Sequence, residues 1–170
     1  MKWYAKSFRR NLIDMHIDDW DETFLSEFDP DQYFDCLCRA HIQSPMIYLQ
    51  SHVGLCNWDT QSGRTHRAFR GDNKVRRLID LCHGAGMDVI AYYSLIYNNC
   101  AYADHPEWRM LHSDGSPSRS DLALGFMNGG RYGLVCPNQA GYRAFLQQQF
   151  AEFCTEYAFE GLFQIGRAHV

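Results

Sequence analysis

Residues 45–52 read "PMIYLQSH". Ile47, Leu49 and Ser51 alternate with Tyr48, Gln50 and His52, a period of two that marks a β-strand with unlike faces. Farther on, "GDNKVRRLIDLCHGAG" (71–86) places Val75, Leu78, Ile79 and Cys82 at helical spacing, and Gly84 or Gly86 ends the run. "MDVIAYYSL" (87–95) is then a second apolar strand. A strand–helix–strand order implies parallel strands joined by a right-handed crossover.

The pattern extends in both directions. "NLIDMHID" (11–18) reads as an earlier strand and "DPDQYFDCLCRAH" (29–41) as its helix, with Asp29 as N-cap and Pro30 at the first helical position. "NQAGYRAFLQQQFAEFCTEY" (138–157) reads as a third helix, and "FEGLF" (159–163) opens a fourth strand. A doubly wound sheet and a barrel both fit this order. No Gly-rich phosphate loop follows the first strand, which weakens the dinucleotide fold. The segments after the second and third strands are long, and strand ends turn polar and aromatic, as in barrel enzymes. The expected fold is therefore α/β, a partial (β/α)8 TIM barrel of about three βα units plus a fourth strand. Residues 11–17, 45–51, 87–94 and 159–163 should lie side by side in that order, with the helices on one side.

Composition narrows the function. A net charge of -4 gives no reason to expect nucleic acid or an anionic membrane as partner. No apolar run approaches a membrane span, and no signal peptide is visible after "MKWYAKSFRR". Seven scattered cysteines without a CxxC pair read as reduced, mostly buried thiols, which suits the cytoplasm and argues against a zinc knuckle. The 15% of aromatic residues is high; buried rings would account for much of it, and surfaces for stacking on sugars or bases for the rest.

Polar groups on strand faces supply the candidate site. Asp14, His16 and Asp18 share one face of the first strand, and Ile13, Met15 and Ile17 the other. Charges turned inward need partners or a wet site. Tyr48, Gln50 and His52 repeat the pattern on the second strand. A satisfied polar network inside the barrel would produce the same sequence. The loops add Trp58, Tyr97, Trp108 and Arg109, and Asn138 stands where it can cap a helix or meet a ligand. His16, Asp18 and His52 could alternatively ligate a metal in a barrel hydrolase. A carbohydrate-binding barrel without chemistry is a third reading.

These residues resemble the catalytic barrel of the alpha-L-fucosidases and the related hypothetical glycosyl hydrolases, the sixth such family. The fucosidase pattern HHDGFxxWDS is similar to "SHVGLCNWDT", with His52, Gly54, Trp58 and Asp59 in register. Tyr92-Tyr93-Ser94 matches the family's YYS after a "HGAGMDV" turn, and His16 in "DMHID" resembles the histidine of FIHWG. "HPEWRMLHSDG" is closer to the hypothetical glycosyl hydrolases. Ser51 and Val53 replace the pattern's His and Asp, and Ile17-Asp18 its Trp-Gly. The resemblance implies a retaining O-glycoside hydrolase acting on a carbohydrate without cofactor or metal. Strand faces, loops and resemblance together give His16, Asp18, His52, Trp58, Tyr93, Arg109 and Asn138 as the expected substrate contacts. The resemblance also implies a nucleophilic Asp at the end of the fourth strand.

The last six residues, "IGRAHV" (165–170), carry a separate expectation. The codons ATC GGA AGA GCA CAC GTC of a widely used sequencing adapter encode them in frame. Residues 1–163 would then be the N-terminal half of a catalytic domain, and 164–170 a non-native tail. On that expectation the nucleophilic Asp follows Phe163 within about two residues in the intact gene, and the present chain is inactive.

Overall fold

The computed structural model describes residues 2–118 and 132–165. Most of the "IGRAHV" tail, residues 166–170, lies outside the described residues. Four parallel strands run side by side in chain order: β1 (Arg10–Leu12), β2 (Ser44–Gln50), β5 (Ile90–Ser94) and β6 (Gly161–Ile165). Between β2 and β5 come two two-residue strands, β3 (Leu55–Cys56) and β4 (Arg64–Thr65), and β3 pairs antiparallel with β2. The helices are α1 (Pro30–Arg39), α2 (Lys74–Gly84), α3 (Asn99–Asp104) and α4 (Ala140–Glu156). Among the described residues β1 pairs only with β2 and β6 only with β5. The sheet is thus an open segment of a (β/α)8 barrel.

Helix boundaries follow local chemistry. Asp29 Oδ1 accepts the backbone N–H groups of Asp31 and Gln32, and Pro30 opens α1 with a fixed φ and no N–H to lose. Gly86, at φ 74°, ends α2, and the Met87 amide reaches back to the Cys82 carbonyl. Asn138 does not cap α4. Gln139 holds the N-cap position without a side-chain bond, and the Asn138 carbonyl instead takes the Arg143 guanidinium at 2.8 Å. Helix α3, inside the long third loop, was not expected from sequence.

Alternation sorts each strand. Ile47 and Leu49 of β2 and Ala91 and Tyr93 of β5 join one apolar cluster with Leu37 of α1, four α2 residues (Val75, Leu78, Ile79 and Cys82) and Phe153 of α4. All three crossover helices therefore cover one face, as expected for a barrel wall. Burying each of these large aliphatic side chains is worth about 1.5–3 kcal/mol.

The first strand departs from expectation. Its ladder stops at Leu12, opposite Met46, so residues 13–18 are not strand. Side chains take over from the backbone bonds. Tyr48 Oη donates to Asp14 Oδ1 at 3.0 Å, and the His52 amide donates to His16 Nδ1 at 3.1 Å. The expected facing survives in part: Met15 packs against the helical cluster while Asp14 and His16 meet residues of the other face.

The segment after β2 is clamped to α4. Gln149, fully buried, donates to Thr60 Oγ1 and Ser62 Oγ, both at 2.8 Å, and accepts from Cys56 Sγ and Tyr93 Oη. Gly54 turns the chain at φ 88°, where a Cβ would overlap Asn98 Oδ1 and the Cys100 backbone. The seven cysteines form no disulfide, but only Cys56 and Cys82 are buried, fewer than expected. Among the described residues, no helix is long and apolar enough to cross a membrane.

Gly54→Ala combines a left-handed backbone with overlap, and should destabilise the chain by about 2–5 kcal/mol in urea unfolding. An unchanged midpoint would show that the turn relaxes freely.

Candidate active site

The face of the sheet away from the helices carries the polar strand residues. Tyr48 and Tyr92, paired across β2 and β5, stack with ring centroids 3.8 Å apart and planes 14° apart. Phe163 of β6 continues the row, 5.8 Å from Tyr92. Between Tyr48 and Gln50 the register shifts, and there Gln50 Oε1 accepts the Ser94 amide at 3.2 Å. The carboxyl ends of β2 and β5 thus hold tyrosine rings, the buried Gln50 amide and the Ser94 hydroxyl.

Two histidines sit over this floor. The His16 and His52 rings are 3.8 Å apart at 30°. Tyr97 stacks on His52 at 4.6 Å, and Tyr132 meets His52 edge-on at 5.0 Å and His16 at 5.5 Å. Hydrogen bonding fixes both tautomers. Ser94 Oγ donates its one proton to the Tyr97 carbonyl at 2.8 Å, so at 2.7 Å it must accept from His52 Nδ1–H. His52 Nε2 therefore presents a lone pair. His16 Nδ1 accepts the His52 amide, which leaves the proton on Nε2, aimed at Asp14 Oδ1 at 3.3 Å. Tyr92 Oη lies 3.5 Å from the same nitrogen.

Burial keeps His52, Tyr48 and Tyr92 neutral. The pKa of His52 is lowered from 6.5 to about 3 by desolvation first and by His16 second, with Asp14 opposing. Burial, with smaller effects from Asp14 and Tyr132, pushes Tyr92 up to about 12, and burial beside Tyr92 raises Tyr48 further. The cluster is a wall of neutral donors and acceptors backed by flat rings, with Asp14 at its edge, 70% exposed.

Of the seven expected substrate contacts, His16 and His52 come together here, joined by Asp14, Tyr48, Gln50 and Tyr97 from the same segments and the third loop. Asp18 turns away: its carbonyl contacts His66 Nε2 at 3.1 Å, and its carboxylate takes the Asp19 amide. Trp58 is buried on the helix side, edge-on to Phe153, with Nε1 donating to Glu152 at 3.2 Å. Tyr93 is fully buried under α4, because its neighbour Tyr92 takes the inner side of β5 and alternation sends Tyr93 outward. Arg109 stacks over Tyr102 at 4.4 Å and donates to its carbonyl, bracing the third loop. Asn138 lies at the start of α4. Tyr92 could have been chosen from sequence, since it shares a face with Ser94. Tyr132 carries no such signal, being brought in only by the fold of its loop. His16, Asp18 and His52 do not form a ligand set, and among the described residues no three His, Cys, Asp or Glu side chains group to hold a metal.

The His52 shift has a pH signature. The unfolded chain takes up this proton near pH 6.5, the folded chain only near 3. The stability that neutral His52 contributes is therefore complete above about pH 6.5 and is lost as pH falls toward 3. Between about pH 7 and about pH 4 the urea midpoint should fall further for the parent chain than for His52→Gln. Parallel declines would assign the acid sensitivity elsewhere.

The pattern of hypothetical glycosyl hydrolase 6 matches residues 29–165. Among solved structures, alpha-L-fucosidase isoenzyme 2 from Paenibacillus thiaminolyticus superposes with a TM-score of 0.72 at 21% identity, over 96% of this chain and 23% of that one. The Thermotoga maritima alpha-fucosidase gives 0.54 at 20% identity, over 84% and 30%. A hypothetical protein from Ruminiclostridium thermocellum gives 0.56 at 14% identity, over 79% and 67%. This chain thus spans less than a third of either fucosidase. No curated protein matches it. At these identities the superpositions speak for a shared barrel fold, and the family match, which takes in β2 through β6 and His52, shows that the chain belongs to the hypothetical glycosyl hydrolase 6 family.

Proposed function

We propose that the chain is the sugar-holding part of a retaining, alpha-L-fucosidase-like glycoside hydrolase that cleaves O-glycosidic bonds in a carbohydrate. The observation that carries this reading is the neutral His16–His52 pair on a floor of stacked tyrosines at the carboxyl ends of parallel strands. Sugar hydroxyls both donate and accept, and this pair offers a lone pair at His52 Nε2 next to phenols and Asp14. A flat ring can cover the C–H face of a pyranose. Neutrality suits an uncharged ligand, because no ion has to lose its hydration.

Retaining chemistry needs a nucleophile and a second acid roughly 5 Å apart. In this reading the nucleophile belongs at the end of β6. Phe163 pairs with Tyr92 and position 165 with Ser94, which brings the end of β6 level with the strand end that carries the site. The present chain carries Gln164-Ile165 there. The replacement of the fucosidase pattern's His and Asp by Ser51 and Val53 favours a binding-only barrel as the second reading. The fucosidase names among the structural relatives favour fucose as the sugar to try first.

In the parent protein, p-nitrophenyl alpha-L-fucoside should be hydrolysed, and His52→Ala should lower kcat/KM by about ten- to a hundredfold, the worth of a hydrogen bond lost in a buried site. Fucose binding without turnover would favour the binding barrel, and an unaffected His52→Ala enzyme would remove the histidine pair from the site.

A further inference from the structure

The resemblance makes His16 the first-strand residue that meets the sugar. The structure engages both nitrogens of that ring within the protein. Nδ1 takes the His52 amide at 3.1 Å, and Nε2 faces Asp14 Oδ1 at 3.3 Å. What His16 holds in place is therefore a carboxylate. Asp14 stands where the FIHWG pattern has Phe, a side chain that can accept no hydroxyl.

Asp14 is drawn into the site by two partners. Its Oδ1 accepts Tyr48 Oη at 3.0 Å as well as facing His16. Tyr48 belongs to β2, and the His16 ring lies 3.8 Å from that of His52, just past the end of the same strand. Both contacts pull the carboxylate toward β2, not toward the side of β1 that has no partner among the described residues. Its charge acts on the rest of the cluster. Burial is the main cause of the shifts at His52, Tyr48 and Tyr92, and at each of the three Asp14 contributes in addition.

The lone pairs of Asp14 are half used. An ionised carboxylate accepts at about four positions, two on each oxygen. Tyr48 Oη and His16 Nε2 occupy those of Oδ1. Oδ2 is one bond angle away, and among the described residues none donates to it.

We propose that Asp14 is a substrate-binding residue that sets specificity: its Oδ2 accepts a ring hydroxyl of the sugar held at His52, in the place that the resemblance gives to His16. This rests on the carbohydrate reading of that site. A carboxylate accepts and cannot donate, so the sugar must present a free O–H at that ring position. A deoxygenated carbon, an ether or a sulfate ester there has no proton to give. His16 is then a positioning residue, acting on the sugar through Asp14.

Asp14→Asn isolates Oδ2. The Asn carbonyl can keep the Tyr48 and His16 contacts while an amide NH2 replaces Oδ2, so the melting temperature should not change. Calorimetric titration of the chain with L-fucose and its 2-, 3- and 4-deoxy analogues should find an analogue that binds about ten- to a hundredfold more weakly than L-fucose, the loss of a hydrogen bond to a charged group. In Asp14→Asn that penalty should shrink to about threefold or less. His52→Ala should weaken L-fucose and leave the same penalty in place. A purely structural Asp14 would leave every penalty at full size in Asp14→Asn. That result, or a parent chain that penalises no analogue, overturns the Asp14 assignment alone. Failure of the parent chain to bind L-fucose overturns the carbohydrate reading and the assignment with it.

Discussion

Everything in this chain depends on the alternation of two neighbouring parallel strands. β2 and β5 pair so that Tyr48 lies beside Tyr92 and Ile47 beside Ala91. One face then holds rings and hydrogen-bonding groups, and the other holds aliphatic side chains. A one-residue slip would exchange them, putting Tyr48 and Gln50 under the helices and Leu49 into the site. The apolar cluster with α1, α2 and α4 forbids that slip, so the packing that stabilises the barrel wall also aims the site residues.

The second constraint is the coupling of His16 to His52. β1 is only three residues long, too short to place His16 by ladder bonds. The His52 amide fixes His16 Nδ1, and Ser94 fixes His52 Nδ1, which leaves each ring one defined outward nitrogen. Both tautomers therefore follow from two backbone groups and one hydroxyl. Because burial holds His52 neutral, this arrangement should persist across the physiological pH range.

The loops are held by different means. The segment after β2 is fastened to α4 by three bonds of Gln149, and the third loop is braced by Arg109 on Tyr102 and by the His105–Trp108 stack at 3.5 Å. Trp58 and Arg109, which as exposed loop residues would have suited a ligand, hold the scaffold instead. Polar and aromatic loop residues serve either purpose, and sequence does not separate the two.

Sequence alone determined the order of parallel strands, the single helix-covered face, the Asp29 cap and the inward facing of His16 and His52. Each follows from a short-range rule: period two in strands, period 3.6 in helices, and the capping chemistry of particular residues. The early end of β1, the outward burial of Tyr93, the departure of Asp18 and the arrival of Tyr132 were decided by the tertiary structure. These depend on which backbone groups find partners and on which of two adjacent tyrosines meets a helix 50 residues or more away in sequence. Neither residue type nor local spacing carries that information, because a buried tyrosine and a site tyrosine differ only in what is packed against them.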